Sequence, residues 1–445
     1  MDRRNFLENT SIYSAGFFAG SNRLTQEDSF KILNPRDRVP INFIIDDSTA
    51  LVNLAHFGIP QFKEVFPDKY LQDWKKLPRE IPDSFVLEFL GWCADKGVKG
   101  KYSMVPYPAC TGWLNRFIPG WSKKELEASL EVVRKHATPD WDIHSEMISH
   151  TRVIDIKTGL PYREATPDFM ENWEWSQKKS ADELGEYIAY SLQILKDVGF
   201  DCDGVTTPGG FGSRNISNLA LGTKRAVAEV FGHGVSHFFR DLILEPGKSV
   251  QPQVMHVENI DSDHASCSVH MIGCTGDWFG GWDGLTPGDA DRFITEDGSS
   301  GRLVEVIGAE EPALLVCHWP GIYYNGEKIG FNIFKTVVNR LNQYYDNLHW
   351  MKLTDIASYW AAKEHTKIRK VSSGIELHAP FACKDFTFSS ALETSKPVLV
   401  FAGETKALDR VANKSELTAN TWTFEKGLNY YCVNLSVGQN LLRGV

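Results

Sequence analysis

Short apolar runs alternate along this chain with longer segments in which apolar residues recur every three or four positions. The first run, Ile41-Asn-Phe-Ile-Ile45, is β-branched and aromatic, follows Pro40 and stops at Asp46-Asp47-Ser-Thr49. That pattern predicts a buried strand with two acids at its C-terminal end. A polar, aromatic loop is expected from Ala55 to Pro82. An amphipathic helix follows over 84–96, then a turn at Gly97–Gly100 and a second strand over 101–105, a βαβ step. Ser122-Lys-Lys-Glu125 has the form of a capping box, opening a helix to His136. The periodicity predicts further helices over about 180–198, 219–231, 331–345 and 355–363. It predicts strands over 252–257, 268–273 and 313–320. Alternating strands and helices of these lengths predict an α/β fold, specifically a distorted β/α barrel of about seven strands. From about Lys367 the runs Gly374–His378, Pro397–Phe401 and Tyr430–Leu435 alternate with turns and carry no helix, which predicts a small all-β module of the sandwich kind.

The start of the chain is different. Asp2-Arg3-Arg4-Asn5-Phe6-Leu7 and the weakly apolar stretch to Gly20 have the form of a twin-arginine export signal. The expected organisation is a signal and linker over 1–33, a barrel over 34–366 and the module over 367–445. An exported protein, periplasmic or extracellular, is expected. No later stretch reaches the roughly 18 apolar residues of a membrane span. A net charge of −10 argues against a nucleic-acid surface and offers no basic patch for anionic membranes. The 8 cysteines form no Cys-x-x-Cys pair, so a zinc ribbon is not expected. Cys317 and Cys432 are expected as buried thiols, and Cys267 with Cys274 is a possible pair. Many of the 13 Trp residues lie in polar, Gly-rich stretches, a distribution suited to stacking sugar rings and also to ordinary cores.

In a β/α barrel the C-terminal strand ends collect the reacting groups, so Asp46 and Asp47 are the first candidates. An Asp-Asp-Ser helix cap is the plainer alternative. His144 and His150 follow the third strand. On one helix they would lie about 240° apart, so they converge only if one ends the strand and the other follows a turn. With Asp47 they make a His, His, Asp set suited to Zn²⁺ or a similar divalent ion. His233 and His237, with Asp241 four residues on, form a rival pair at i, i+4; the alternative is a helix end and surface loop. Trp113, in a Pro/Gly/aromatic loop, and Asp277, Trp278, Trp282 and Asp283, in a Gly-rich loop, suit sugar rings and hydroxyls. A packed loop would look the same.

The order Asp46-Asp47, His144 and His150, Pro208-Gly-Gly, then His318 after an apolar strand resembles the polysaccharide deacetylase family over roughly residues 39–362. The resemblance implies a distorted barrel, a divalent metal, and hydrolysis of N- or O-acetyl groups on carbohydrate. It implies Asp46 as general base, Asp47, His144 and His150 as metal ligands, and His318 as general acid. Pro208 and Gly209 would then line the substrate groove, with N–H groups near Gly209 and Gly210 on an oxyanion. The chain departs from the family twice. The usual His-x-x-x-His is lengthened here, which makes Glu146 a further candidate ligand or partner. The Arg that orients the base is absent from Thr206-Thr-Pro208, which leaves that task to another group such as Arg214. Two other readings stand beside this one: a glycoside hydrolase pairing Asp46 with Asp277 or Asp283, and a glycan-binding protein without catalysis. Replacing Arg3 and Arg4 by Lys is expected to block export, measured as the fraction of protein outside the cytoplasm; an unchanged fraction would count against the twin-arginine route.

Overall fold

The computed structural model describes residues 30–445. Among them, seven parallel strands wrap into a barrel in the order Ala313–His318, Val39–Asp46, Gly100–Met104, Trp141–Glu146, Gly204–Thr206, Val235–Leu242 and Ser266–Gly273. The two ends of this order meet where the Cys274 N–H donates to the Leu314 carbonyl at 2.9 Å. Two short strands extend the sheet: Gln253–Glu258 pairs antiparallel outside Ser266–Gly273, and Leu348–Trp350 pairs with the start of Val39–Asp46. The expected barrel of about seven strands with a C-terminal β module is the architecture observed.

Side-chain alternation sorts the strands into two faces. Val39, Ile41, Phe43 and Ile45 point outward under the helices, where the Phe43 ring stacks on Phe334 at 4.0 Å between centroids. The opposite face of the same strands carries Asn42 and Asp46, then Lys101 and Ser103, then Asp142, His144 and Glu146. The barrel lumen is therefore polar. Strand packing is close enough at Gly100 that a Cβ would lie 2.2 Å from the Phe43 carbonyl oxygen, so only glycine fits there.

The expected capping box forms at Ser122/Glu125, and a second one is found at Ser180/Glu183. Two expectations are corrected. The segment read as loop contains the helix Leu54–Val65, whose apolar face is masked in the sequence by Pro60 and by polar neighbours. The segment read as a helix end and surface loop around His233 and His237 runs into the strand Val235–Leu242. Cys267 and Cys274 cannot pair, because one lies near the start and the other just past the end of the extended strand Ser266–Gly273, roughly 23 Å apart at about 3.3 Å per residue.

The C-terminal module is a sandwich of two five-stranded sheets. One of them takes its edge strand from the other end of the chain: Phe30–Ile32 pairs antiparallel with Phe388–Ser390. The linker expected up to residue 33 thus reaches into the fold, while the Arg3-Arg4 segment lies outside the described residues. The helix Leu353–His365 joins barrel to module through Ile356, Tyr359 and Trp360, which share a core with Phe386 and Phe388. Tyr359 closes this junction. Its hydroxyl donates to the Leu33 carbonyl at 2.7 Å and accepts the buried Thr387 N–H at 3.2 Å. Tyr359→Phe is expected to lower stability by about 1–3 kcal/mol, since it leaves a buried N–H without its acceptor. Urea unfolding monitored at both units measures this, and an unchanged midpoint would show that the junction does not depend on the hydroxyl.

Candidate active site

The C-terminal ends of the barrel strands open into a cavity of about 300 Å³. Asp46 ends its strand beside His318, its register partner on the neighbouring strand. Lys101 lies under Asp46, wholly buried. Its ammonium donates to the Ile45 carbonyl at 2.7 Å, to Ser103 Oγ at 2.8 Å, and to the Asp46 carboxylate. Burial pushes the Asp46 carboxyl up to about 6 against the lowering pull of Lys101. Lys101 therefore holds the first acid in place, the task the sequence reading gave to Arg214. Arg214 instead pairs with Glu174, its side chain 63% exposed.

The chain leaves the strand abruptly at Asp47, whose φ of 60° is rarely adopted by a residue with a side chain. This turn keeps Asp47 at the cavity instead of on the outer face that alternation would give it. Its N–H donates to Glu146 Oε2 at 2.8 Å, and its Oδ1 lies 2.6 Å from His150 Nε2. His150 Nε2 also lies 3.4 Å from Glu146 Oε1. The Asp47, Glu146 and His150 ligand atoms all fall within 4.8 Å of one another. Burial alone would lower the His150 pKa, but the two carboxylates raise it well above the ordinary value. Glu146, in spite of burial, is held down to about 2 by His150 and Lys101.

His150 is delivered by a tight turn in which Met147 and His150 both have positive φ, 51° and 64°. Glu171 holds that turn. Its carboxylate accepts the N–H groups of Ile148, Ser149 and His150 at 2.5–3.2 Å and the Tyr187 hydroxyl at 2.5 Å. Burial raises Glu171 to about 7 against those hydrogen bonds. Nothing in the sequence spacing pointed to Glu171 or Lys101; a lone Lys at a strand start and a lone Glu in a loop carry no signature.

His144 is corrected as a ligand. It shares the inward face of its strand with Glu146 but sits two residues deeper. There its Nε2 is 2.8 Å from His237 Nε2 and its Nδ1 is 3.2 Å from Thr206 Oγ1. Burial, then His237 and Lys101, lower its pKa well below the ordinary value. Glu146, not His144, stands with Asp47 and His150 at the position expected of that ligand. The rival pair also separates: His237 is buried against His144, while His233 faces Asp201 and Asp203 at the surface, and Asp241 faces His270.

Next to Asp46 on the adjacent strand, His318 Nδ1 lies 3.2 Å from Asp277 Oδ2. Burial opposes the imidazolium, but Asp277 and Asp47 raise its pKa to about 10. Trp282 and Gly209 line the cavity, together with Phe62, Tyr70, Asn172 and Thr207. Trp113 and Trp278 do not: Trp113 stacks on Tyr107 in the core, and Trp278 packs against Phe293 and Arg292. Pro208 is not on the wall, although its neighbours Thr207 and Gly209 are. Asp277 acts on His318 instead of lining the wall. The Gly210 N–H is already committed to the Asn172 carbonyl at 2.7 Å, which removes it as an oxyanion donor. Asp283 caps its own turn at Leu285 and accepts from Gln72.

No family model and no curated protein matches the chain. Among solved structures, it is similar to a Mycobacterium smegmatis protein described as a polysaccharide deacetylase, at 12% identity and a TM-score of 0.42, over 75% of this chain and 93% of that one. It is similar to PuuE allantoinase at 14% identity and 0.41, over 74% and 91%. A Parabacteroides distasonis protein described as a glycoside hydrolase/deacetylase overlaps at 10% identity and 0.38, over 87% and 90%. Overlap at this level decides no chemistry, which rests on the side chains above.

A divalent ion fits the Asp47, Glu146, His150 set: all three side chains are buried, and Asp47 Oδ1 and Glu146 Oε1 converge on His150 Nε2 at 2.6 and 3.4 Å, so the ligand atoms already share one point. One nitrogen and two carboxylate oxygens form a donor set suited to such an ion at a site open on one side. Ala at Asp47, Glu146 or His150 is expected to remove bound metal from the purified protein, whereas His144→Ala is expected to retain it. Elemental analysis of the four variants checks this; metal lost from the His144 variant alone would reverse the assignment.

Proposed function

We propose that this cavity is the active centre of a metal-dependent hydrolase that removes N- or O-acetyl groups from a carbohydrate, in an exported protein. The observation that carries the reading is the pairing of Asp46 and His318 at one level of adjacent strands, beside the Asp47, Glu146, His150 cluster and over one cavity. When bound, the ion, which we take to be zinc, polarises a carbonyl oxygen and makes water more acidic. Asp46 accepts a proton from the attacking water. A carboxyl near 6 is ionised at neutral pH yet more basic than an exposed aspartate, which suits that task. Lys101 fixes the carboxylate and keeps it from swinging away. His318, held as imidazolium by Asp277, donates a proton to the departing amine or alkoxide. Phe62, Tyr70 and Trp282 give an apolar aromatic wall on which a sugar ring can lie.

The glycosidase alternative is less well supported, because Asp277 is committed to His318 and Asp283 to its own turn. Acetate release measured beside reducing-sugar release on acetylated glycans separates the two, and the absence of both would leave the binding-protein reading.

Asp46→Asn and His318→Ala are each expected to lower kcat by about 10²–10⁴-fold with metal content intact. Losses below tenfold in both would assign the proton transfers elsewhere. The proton on His318 must be present for leaving-group departure, so activity should persist up to about pH 10 and fall above it. Asp277→Asn removes the charge that opposes burial, so the alkaline limb should move to lower pH. A limb that stays in place would exclude His318 as the acid.

A further inference from the structure

The wall of the cavity holds one charged group that the proposed chemistry does not use. Arg240 lies in the strand Val235–Leu242, whose alternation puts Phe238 outward and Phe239 inward. Regular pleating would send Arg240 outward with Phe238. Its register with the neighbouring strand is broken at this point: Phe239 pairs with Met271 and Asp241 with Ile272, leaving Arg240 as the extra residue of a β-bulge. A bulge of this kind re-aims a side chain. Consecutive residues Phe239 and Arg240 accordingly both line the cavity, which a regular strand does not allow.

The Arg240 side chain is 11% exposed, and its buried Nε has no hydrogen-bond acceptor among the described residues. Asp241 Oδ1 stands 3.7 Å from that nitrogen, too far to accept, and Asp241 is turned to His270 at 3.1 Å. The guanidinium thus pays much of its desolvation cost and gains little from the protein in return. The cavity it lines also holds Asp46, Asp47 and Glu146, but these are engaged by Lys101 and His150 and none of them pairs with Arg240, so a partner entering the cavity would be its acceptor. Its fork of donors matches the two oxygens of a carboxylate.

We propose that Arg240 is a substrate-reading residue that selects acetylated sugars carrying a carboxylate, of the uronic-acid class, over neutral ones. This rests on the hydrolase reading above and adds the substrate class to it. The carboxylate would lie on Arg240 while the acetyl group faces Asp46 and His318 across the same cavity.

The test compares an acetylated uronic-acid oligosaccharide with its methyl ester, which removes the charge and keeps the size. The wild-type protein is expected to show a KM about 10- to 100-fold lower for the free acid, the range for a charge-assisted, bidentate contact. Arg240→Met should abolish this preference ratio, and Arg240→Lys should keep part of it, since the charge stays and the fork is lost. Equal KM values for the two substrates in the wild type would overturn the proposal, as would a preference that survives in Arg240→Met. Calorimetric titration of the metal-loaded wild type with the deacetylated acid and its ester asks the same question without turnover. Carboxylate-dependent binding without acetate release would sink the hydrolase reading and leave Arg240 as the binding determinant. Acetate release without any carboxylate preference in either assay would sink this proposal alone.

Discussion

A fully buried ammonium group sets the terms at the mouth of the barrel. Removing a charge from water costs several kcal/mol even after relaxation, unless close partners replace the lost hydration. Lys101 is compensated by the Ile45 carbonyl, Ser103 Oγ and the Asp46 carboxylate, all on its own strand or the adjacent one. The arrangement works only in one register, with Ile44 beside Lys101 and Ile45 beside Tyr102. A slip of one residue would turn the ammonium out under the aromatic layer of Phe43, Phe89 and Phe334. Strand register and the position of Asp46 are therefore fixed by the same contact. Asp46 is in turn the residue against which His318 is aligned.

A second buried charge fixes the other half of the site. Glu171 accepts three consecutive backbone N–H groups of a turn that two positive φ angles would otherwise make costly. Strain in the turn and burial of the carboxylate offset one another only while the turn keeps its shape. That shape carries His150 back from the strand end to meet Asp47 and Glu146. Neither Lys101 nor Glu171 faces the open cavity, yet each determines where a cavity residue stands.

Much of this is legible in the amino-acid sequence. One capping box, the apolar runs and the acid pair at a strand end pointed to the element order, and Asp46, Asp47, His150 and His318, singled out at strand ends, all line the cavity. What was not legible depends on pairings between distant segments. Residues 30–32 look like linker because their partner strand lies some 350 residues away, at 388–390. Lys101 looks like a solvent-facing strand start because its acceptors belong largely to another strand. His144 looked like a ligand because two histidines near an acid outweigh a glutamate in any motif reading. The strand itself decides otherwise: His144 and Glu146 share the lumen face, a two-residue step along it is about 6.6 Å, and only the outer of the two reaches the mouth.

The same reasoning explains why the reacting groups gather where regular structure fails. A parallel strand in register can offer the cavity one residue in two, all at fixed depths, and that suffices for a wall. Convergence of several charged groups on one point needs side chains that alternation would send elsewhere. Asp47 is brought in by a left-handed turn, His150 by the turn on Glu171, and Arg240 by a bulge. Each irregularity costs backbone energy or a ladder hydrogen bond, and each places a charged side chain on the same cavity. For the first two, the neighbouring acids supply the compensating interactions within the protein. For Arg240 they are missing, and an irregularity that positions an uncompensated guanidinium toward open space makes physical sense when its acceptor arrives from outside.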